Sequence, residues 1–267
     1  MNARRKLDLV LFAAAAVALL AIGCALAMRG AQGLSGWPLA LHVGAKWLLL
    51  GATVWTASHN AAALGRKSQI GRAWFLFGLG VGAYLVGELG EAFYQFALGI
   101  LNPFPSLLDV FYVAGYPLLI ASLLGFLRAY DKAGYSMGAP KGSAILAGGL
   151  LVAGVAAVWP VLSPVVSQPG PILERALAAA YPLLDVALLV AVALLLRGTR
   201  QFGGGHVWEI WALVLAGLGV MIAGDIRYAY FAAGGSQHVD PMSEAAFLIA
   251  YLLLARGALK QRELIEA

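Results

Sequence analysis

Apolar residues in this chain fall in long unbroken runs separated by short polar stretches. Eight runs stand out, at about 7–28, 39–60, 72–98, 106–128, 143–166, 173–197, 207–233 and 241–260. Each approaches or exceeds the roughly 20 mostly apolar residues that a helix needs to cross a bilayer. The pattern predicts an all-α fold, a polytopic integral membrane bundle of eight transmembrane helices. Residues 1–267 form one transmembrane domain. The longest loops fall near 129–142 and 232–240, and a short charged tail, 261–267, extends the last helix.

Composition agrees with this pattern and narrows the function classes. The 267 residues are 61% hydrophobic and 12% charged, with a mean hydropathy of +0.83. A soluble domain carries about 25% charged residues. Disordered chains, disulfide scaffolds and nucleic-acid-binding domains are excluded. Cys24 is the single cysteine, so neither an internal disulfide nor a cysteine metal site forms, and it reads as a small packing residue. No cofactor motif is present. Gly78-Leu79-Gly80-Val81-Gly82 lies inside a helix with no strand before it, which suits close helix packing and not a dinucleotide.

The net charge of +5 points to a polyanion only until the basic residues are placed. Arg4, Arg5, Lys6, Arg66, Lys67, Arg72, Arg128, Lys132, Lys141, Arg197, Arg200, Arg256, Lys260 and Arg262 put 14 of the 18 basic residues on one side of the spans. Positive loops stay inside, so both termini are expected in the cytoplasm, with the lipid bilayer as the main partner and no nucleic acid. The alternative for the N-terminus is a cleaved signal peptide. Its apolar run of near 20 residues is long for that.

The two halves look alike. Gly87-Glu88 near the end of the third run and Gly224-Asp225 near the end of the seventh recur at an offset of 137, each followed by aromatics. A proline-marked helix start follows each, at Pro105 and at Pro241. The expected duplication is parallel, four spans per unit, with repeats 1–130 and 142–260.

Ionisable groups inside a bilayer are costly and normally face the bundle interior or a wet cavity. By depth, His42, Lys46, Glu88, Glu91, Asp109, Asp185, Asp225, Arg227 and Glu244 all fall in the outer half or near the midplane. Helical spacing groups Tyr84, Glu88, Glu91 and Gln95 on one face, Asp109, Tyr112 and Tyr116 on another, Tyr181 with Asp185, and Asp225 with Tyr228. Convergence of these faces would make an acidic, tyrosine-rich cavity open to the periplasm. Lys46 and Arg227 are available to pair with its acids, and an Arg227–Asp225 or Lys46–Glu88 pair is one expectation. The bland alternative is interfacial solvation, which fits His42, Glu91, Asp109 and Glu244 best because they lie a turn from a helix end.

The stretch Asn102-Pro103-Phe104-Pro105-Ser106-Leu107-Leu108-Asp109-Val110-Phe111-Tyr112, continued by Gly115-Tyr116-Pro117-Leu118, resembles a membrane region of bacterial signalling proteins. There it precedes a diguanylate cyclase (GGDEF) or histidine kinase output domain. Tyr181-Pro182-Leu183-Leu184-Asp185 resembles the same group's second half. The resemblance implies a sensory module in the bacterial inner membrane. No output domain is recognised in this chain, so a cytoplasmic signalling partner is implied. A second similarity is to lysoplasmalogenase-type membrane proteins, carried by Lys46, Glu88 and Gly224-Asp225. That family's histidine in span four has no counterpart here, since Asp109 to Leu127 contains none.

Two functions follow. The first is a non-catalytic sensor or ligand-binding module taking a small or lipidic ligand through Lys46, Tyr84, Glu88, Glu91, Asp109, Tyr112, Tyr116, Tyr181, Asp185, Asp225, Arg227 and Tyr228. The second is an intramembrane hydrolase of ether lysophospholipids, in which Asp225 or Glu88 is the acid or base and Lys46 or Arg227 holds the phosphate. A small transporter is a third, with the carboxylates as a proton relay.

Overall fold

The computed structural model describes residues 3–29, 35–101, 103–135, 139–167, 171–233 and 239–267. Among them are eight long α-helices: α1 (Ala3–Arg29), α2 (Trp37–Ala63), α3 (Gln69–Ala97), α4 (Leu108–Lys132), α5 (Pro140–Ser167), α6 (Ile172–Thr199), α7 (His206–Ala233) and α8 (Pro241–Ile265). A single 3-10 turn, Arg200–Phe202, links α6 to α7. Helices α2 to α8 each contain a stretch long and apolar enough to cross a membrane. The apolar part of α1 is the shorter stretch Asp8–Cys24. The expected spans and the observed helices agree within a few residues, except that α8 runs on to Ile265.

Local chemistry sets the ends. The Ser68 side chain accepts from the Gly71 amide and caps α3. Asp240 caps α8, accepting from the Ser243 amide at 3.0 Å, and Pro241 fills the first turn, where no amide is needed. Pro117 and Pro182 lie inside α4 and α6, each directly after a tyrosine.

Helices α3 and α4 pack as one antiparallel pair and α7 and α8 as another. Helix α2 bridges α3 and α8, and α6 bridges α4 and α7. Helix α1 lies on α2 and α8, while α5 lies mainly on α6. Ile145, Val152 and Trp159 of α5 are exposed apolar side chains, as a lipid-facing helix requires. Cys24 is exposed, which corrects its reading as a packing residue, because α1 is packed along one face only.

The interior is divided by height. Trp74 near the start of α3 stacks on Trp211 near the start of α7, with centroids 6.3 Å apart, and Phe126 and Tyr130 of α4 close around them. That aromatic cluster occupies one end of the bundle. The buried charges Lys46, Glu88, Asp109, Asp185 and Glu244 occupy the other.

The Asp240 cap has a testable consequence. Its carboxylate also binds Arg227, at 2.7 Å to Nε and 3.0 Å to Nη2. Burial pushes this carboxyl up, but hydrogen bonds from Arg227 and Ser243, with the guanidinium charge, together hold it below the ordinary value. The arginine is 49% exposed, so the ion pair contributes under about 1 kcal/mol. Losing the cap costs about 1–2 kcal/mol. Asp240→Ala is therefore expected to lower the melting temperature in detergent more than Arg227→Ala does. With a depressed folded-state pKa, the contribution of Asp240 is complete above its unfolded value near pH 4 and disappears as pH falls below that. Wild type should accordingly lose more stability on acidification than Asp240→Asn.

Candidate functional site

Two bonded groups of polar side chains form at the charged end. In the first, the Lys46 ammonium of α2 lies 2.6 Å from Glu88 Oε2 of α3 and 3.0 Å from Glu244 Oε2 of α8. His42, one turn before Lys46, meets the same Glu244 oxygen through Nε2. The Tyr251 hydroxyl donates to Glu88 Oε1 at 3.1 Å. Both oxygens of Glu88 are therefore occupied. Nearby, the Tyr112 hydroxyl donates to Glu91 Oε2 at 3.1 Å.

In the second, the Tyr116 hydroxyl of α4 donates to Asp185 Oδ1 of α6 at 2.8 Å and lies 3.4 Å from Asp225 Oδ2 of α7. The Tyr181 hydroxyl donates to Asp109 Oδ1 at 2.6 Å. The other oxygen of Asp109 accepts from the Ser106 amide at 2.6 Å, closing the turn into α4. Pro105, Ser106 and Asp109 thus lie in the turn that leads into α4.

Tyr84 of α3 joins the two groups. Its ring centroid is 5.8 Å from that of Tyr112 and 6.0 Å from that of Tyr116, and Tyr116 in turn lies 6.4 Å from Tyr181. Two glycines make this possible. A Cβ on Gly115 would sit 2.5 Å from the Tyr84 ring, and one on Gly87 would sit 2.6 Å from the Tyr112 ring. Both glycines flank site residues in sequence, Gly115 beside Tyr116 and Gly87 beside Glu88.

A small cleft, open on one side, lies beside the first group. His42, Lys46, Glu88, Glu91, Gln95 and Glu244 give it polar walls, and Leu39, Val43 and Val239 give it apolar ones. Lys46 is 4% exposed and His42 is fully buried, yet the His42 Nδ1 atom has no hydrogen-bond partner. Among the described residues no three His, Cys, Asp or Glu side chains are arranged to hold a metal ion.

The faces read from the sequence converge, with one exception and several additions. Lys46, Tyr84, Glu88, Glu91, Asp109, Tyr112, Tyr116, Tyr181, Asp185 and Asp225 all join this network. Tyr228 is partly buried beside it, in the field of Glu91, Glu244 and Asp109. Arg227 does not join. It pairs with Asp240 at the surface, because residues two apart on a helix face nearly opposite ways and Asp225 already points inward. The expected Arg227–Asp225 pair is absent, while the Lys46–Glu88 pair is present. His42 and Glu244 are buried in the first group, so interfacial solvation does not describe them. Tyr251 and Asp240 were not singled out. The i, i+7 spacing of Glu244 and Tyr251, which repeats that of Asp109 and Tyr116, is the signal that reveals the first of these. No family model, curated protein or solved structure matches the chain. The functional reading therefore stands on this geometry.

Proposed function

We propose that the protein is a sensory or ligand-binding module of the bacterial inner membrane, with eight spans in two parallel repeats and both termini in the cytoplasm. The observation that carries the binding reading is the pocket. Six helices send polar side chains into one network, and that network reaches a cleft whose wall carries both signs of charge, Lys46 among Glu88, Glu91 and Glu244. Such a wall suits a small zwitterion or a lipid headgroup. The basic loops support the orientation. A cytoplasmic partner that reads a shift in this network completes the proposal and follows the resemblance to signalling membrane regions.

The repeat is supported by matched wiring. The contacts of α2 with α3 and α8 correspond to those of α6 with α7 and α4. Tyr251 with Glu88 corresponds to Tyr116 with Asp225, and His42 with Glu244 corresponds to Tyr181 with Asp109. Each polar group thus takes two helices from one half and one helix from the other.

The hydrolase reading is favoured by one contact, Lys46 against Glu88 on the pocket wall. Against it, both Glu88 oxygens are engaged, and Asp225 faces Tyr116 and Asp185 in the second group. Purified protein is expected to release no aldehyde from a lysoplasmalogen, yet to be stabilised saturably by a zwitterionic lysophospholipid, less so after Glu91→Gln. Turnover abolished by both Asp225→Asn and Glu88→Gln would replace the binding reading with an enzyme.

A further inference from the structure

The two polar groups share their wiring but differ in one charge. In the first, Lys46 supplies an ammonium to Glu88 and Glu244. The equivalent position in the second is Asp185, which stands one turn after Tyr181 as Lys46 stands one turn after His42. The second group therefore holds three carboxylates, Asp109, Asp185 and Asp225, and among the described residues no lysine or arginine forms an ion pair with them. Asp109 is satisfied by Ser106 and Tyr181. Asp185 and Asp225 share the Tyr116 hydroxyl. A second, separate observation lies beside them. Tyr84 is 6% exposed, its ring packs edge-on against that of Tyr116, and its buried hydroxyl has no hydrogen-bond partner.

We propose that this second group is a binding site for a small primary ammonium group, which takes there the place that the Lys46 ammonium holds in the first. An –NH₃⁺ offers three donors and accepts nothing. Asp185, Asp225 and the Tyr84 hydroxyl offer it three acceptors. The rings of Tyr84, Tyr116 and Tyr181 follow one another beside these acids, with successive centroids 6.0 and 6.4 Å apart, and aromatic faces attract a desolvated cation. The site is separate from the pocket on the first group, so its test does not depend on what that pocket binds.

The experiment is thermal melting of the purified full-length protein in detergent, titrated with methylammonium chloride. Sodium chloride and tetramethylammonium chloride at equal ionic strength are the controls. Methylammonium is expected to raise the melting temperature saturably by a few degrees, with no such rise from either control, since tetramethylammonium has no N–H to donate. Asp185→Asn and Tyr84→Phe should weaken the response several-fold, and Glu91→Gln, on the pocket, should leave it intact. Asp185→Lys supplies the ammonium covalently and is expected to fold with its methylammonium response gone. Equal responses to all three salts, no response in wild type, or a response that survives Asp185→Asn and Asp185→Lys alike would overturn the proposal.

Discussion

Lys46→Met is expected to be the most destabilising single substitution at the charged end of the bundle, by about 3–5 kcal/mol. The reason is what it leaves behind. Glu88 and Glu244, 5% and 6% exposed, both lean on this one ammonium. Without it two carboxylates remain inside a helical bundle with no adjacent lysine or arginine, and only the His42 imidazole touches Glu244. Removing one partner of a buried pair costs far more than the pair itself contributes, because the stranded charge keeps its desolvation penalty. The control follows from that argument. Lys46→Met combined with Glu88→Gln and Glu244→Gln removes the stranded charges and should recover most of the loss. Lys46→Arg is not a conservative control, since a planar guanidinium does not fit a site shaped around a compact ammonium. Melting temperature and yield of folded protein in detergent measure all three. A Lys46→Met protein that melts with wild type would mean that the glutamates are held by something other than this charge.

Much of the bundle was legible because membrane helices carry an unusually plain signal. A run of apolar residues near 20 long has few alternatives, and all eight runs coincide with helices. The acids were legible for a related reason. A carboxylate is so costly in hydrocarbon that it points inward, and the spacing of Glu88 and Glu91 or of Tyr181 and Asp185 then fixes which face is inside. Side-chain partners were not legible, because partner choice depends on how helices distant in sequence meet. Glu244 and Lys46 are 198 residues apart. The expected Arg227–Asp225 pair gave way to Arg227–Asp240 because the charge of Arg227 was counted and its direction on the helix was not. In the proposed repeat the offset drifts, being 137 for Glu88 and Asp225, 135 for Tyr116 and Tyr251, and 139 for Lys46 and Asp185. The proposed repeat also pairs unlike residue types, histidine with tyrosine and lysine with aspartate, which a one-letter comparison does not match.

The other large effect is expected at the opposite end. Trp211→Ala should cost about 3 kcal/mol, at the lower edge of what buried aromatic truncations cost. Trp211 is 1% exposed, stacks on Trp74, meets Phe126 at 4.6 Å and donates its indole N–H to the Tyr130 hydroxyl at 2.8 Å. It thus binds α7 to both α3 and α4, across the two halves of the sequence. In a bilayer the unfolded reference is itself apolar, so little of this cost is water transfer. The loss is in dispersion contacts and in the cavity that rigid neighbours cannot close. Tyr130→Phe removes one hydroxyl and strands the indole N–H, a smaller penalty of about 1–3 kcal/mol. It should therefore lower the melting temperature less than Trp211→Ala does. Because this cluster and the Lys46 group share no partners, Trp211→Ala and Lys46→Met should be additive to within about 0.5 kcal/mol. A larger coupling would mean that the two ends of the bundle communicate, as a module that passes a binding event from one membrane face to the other must do.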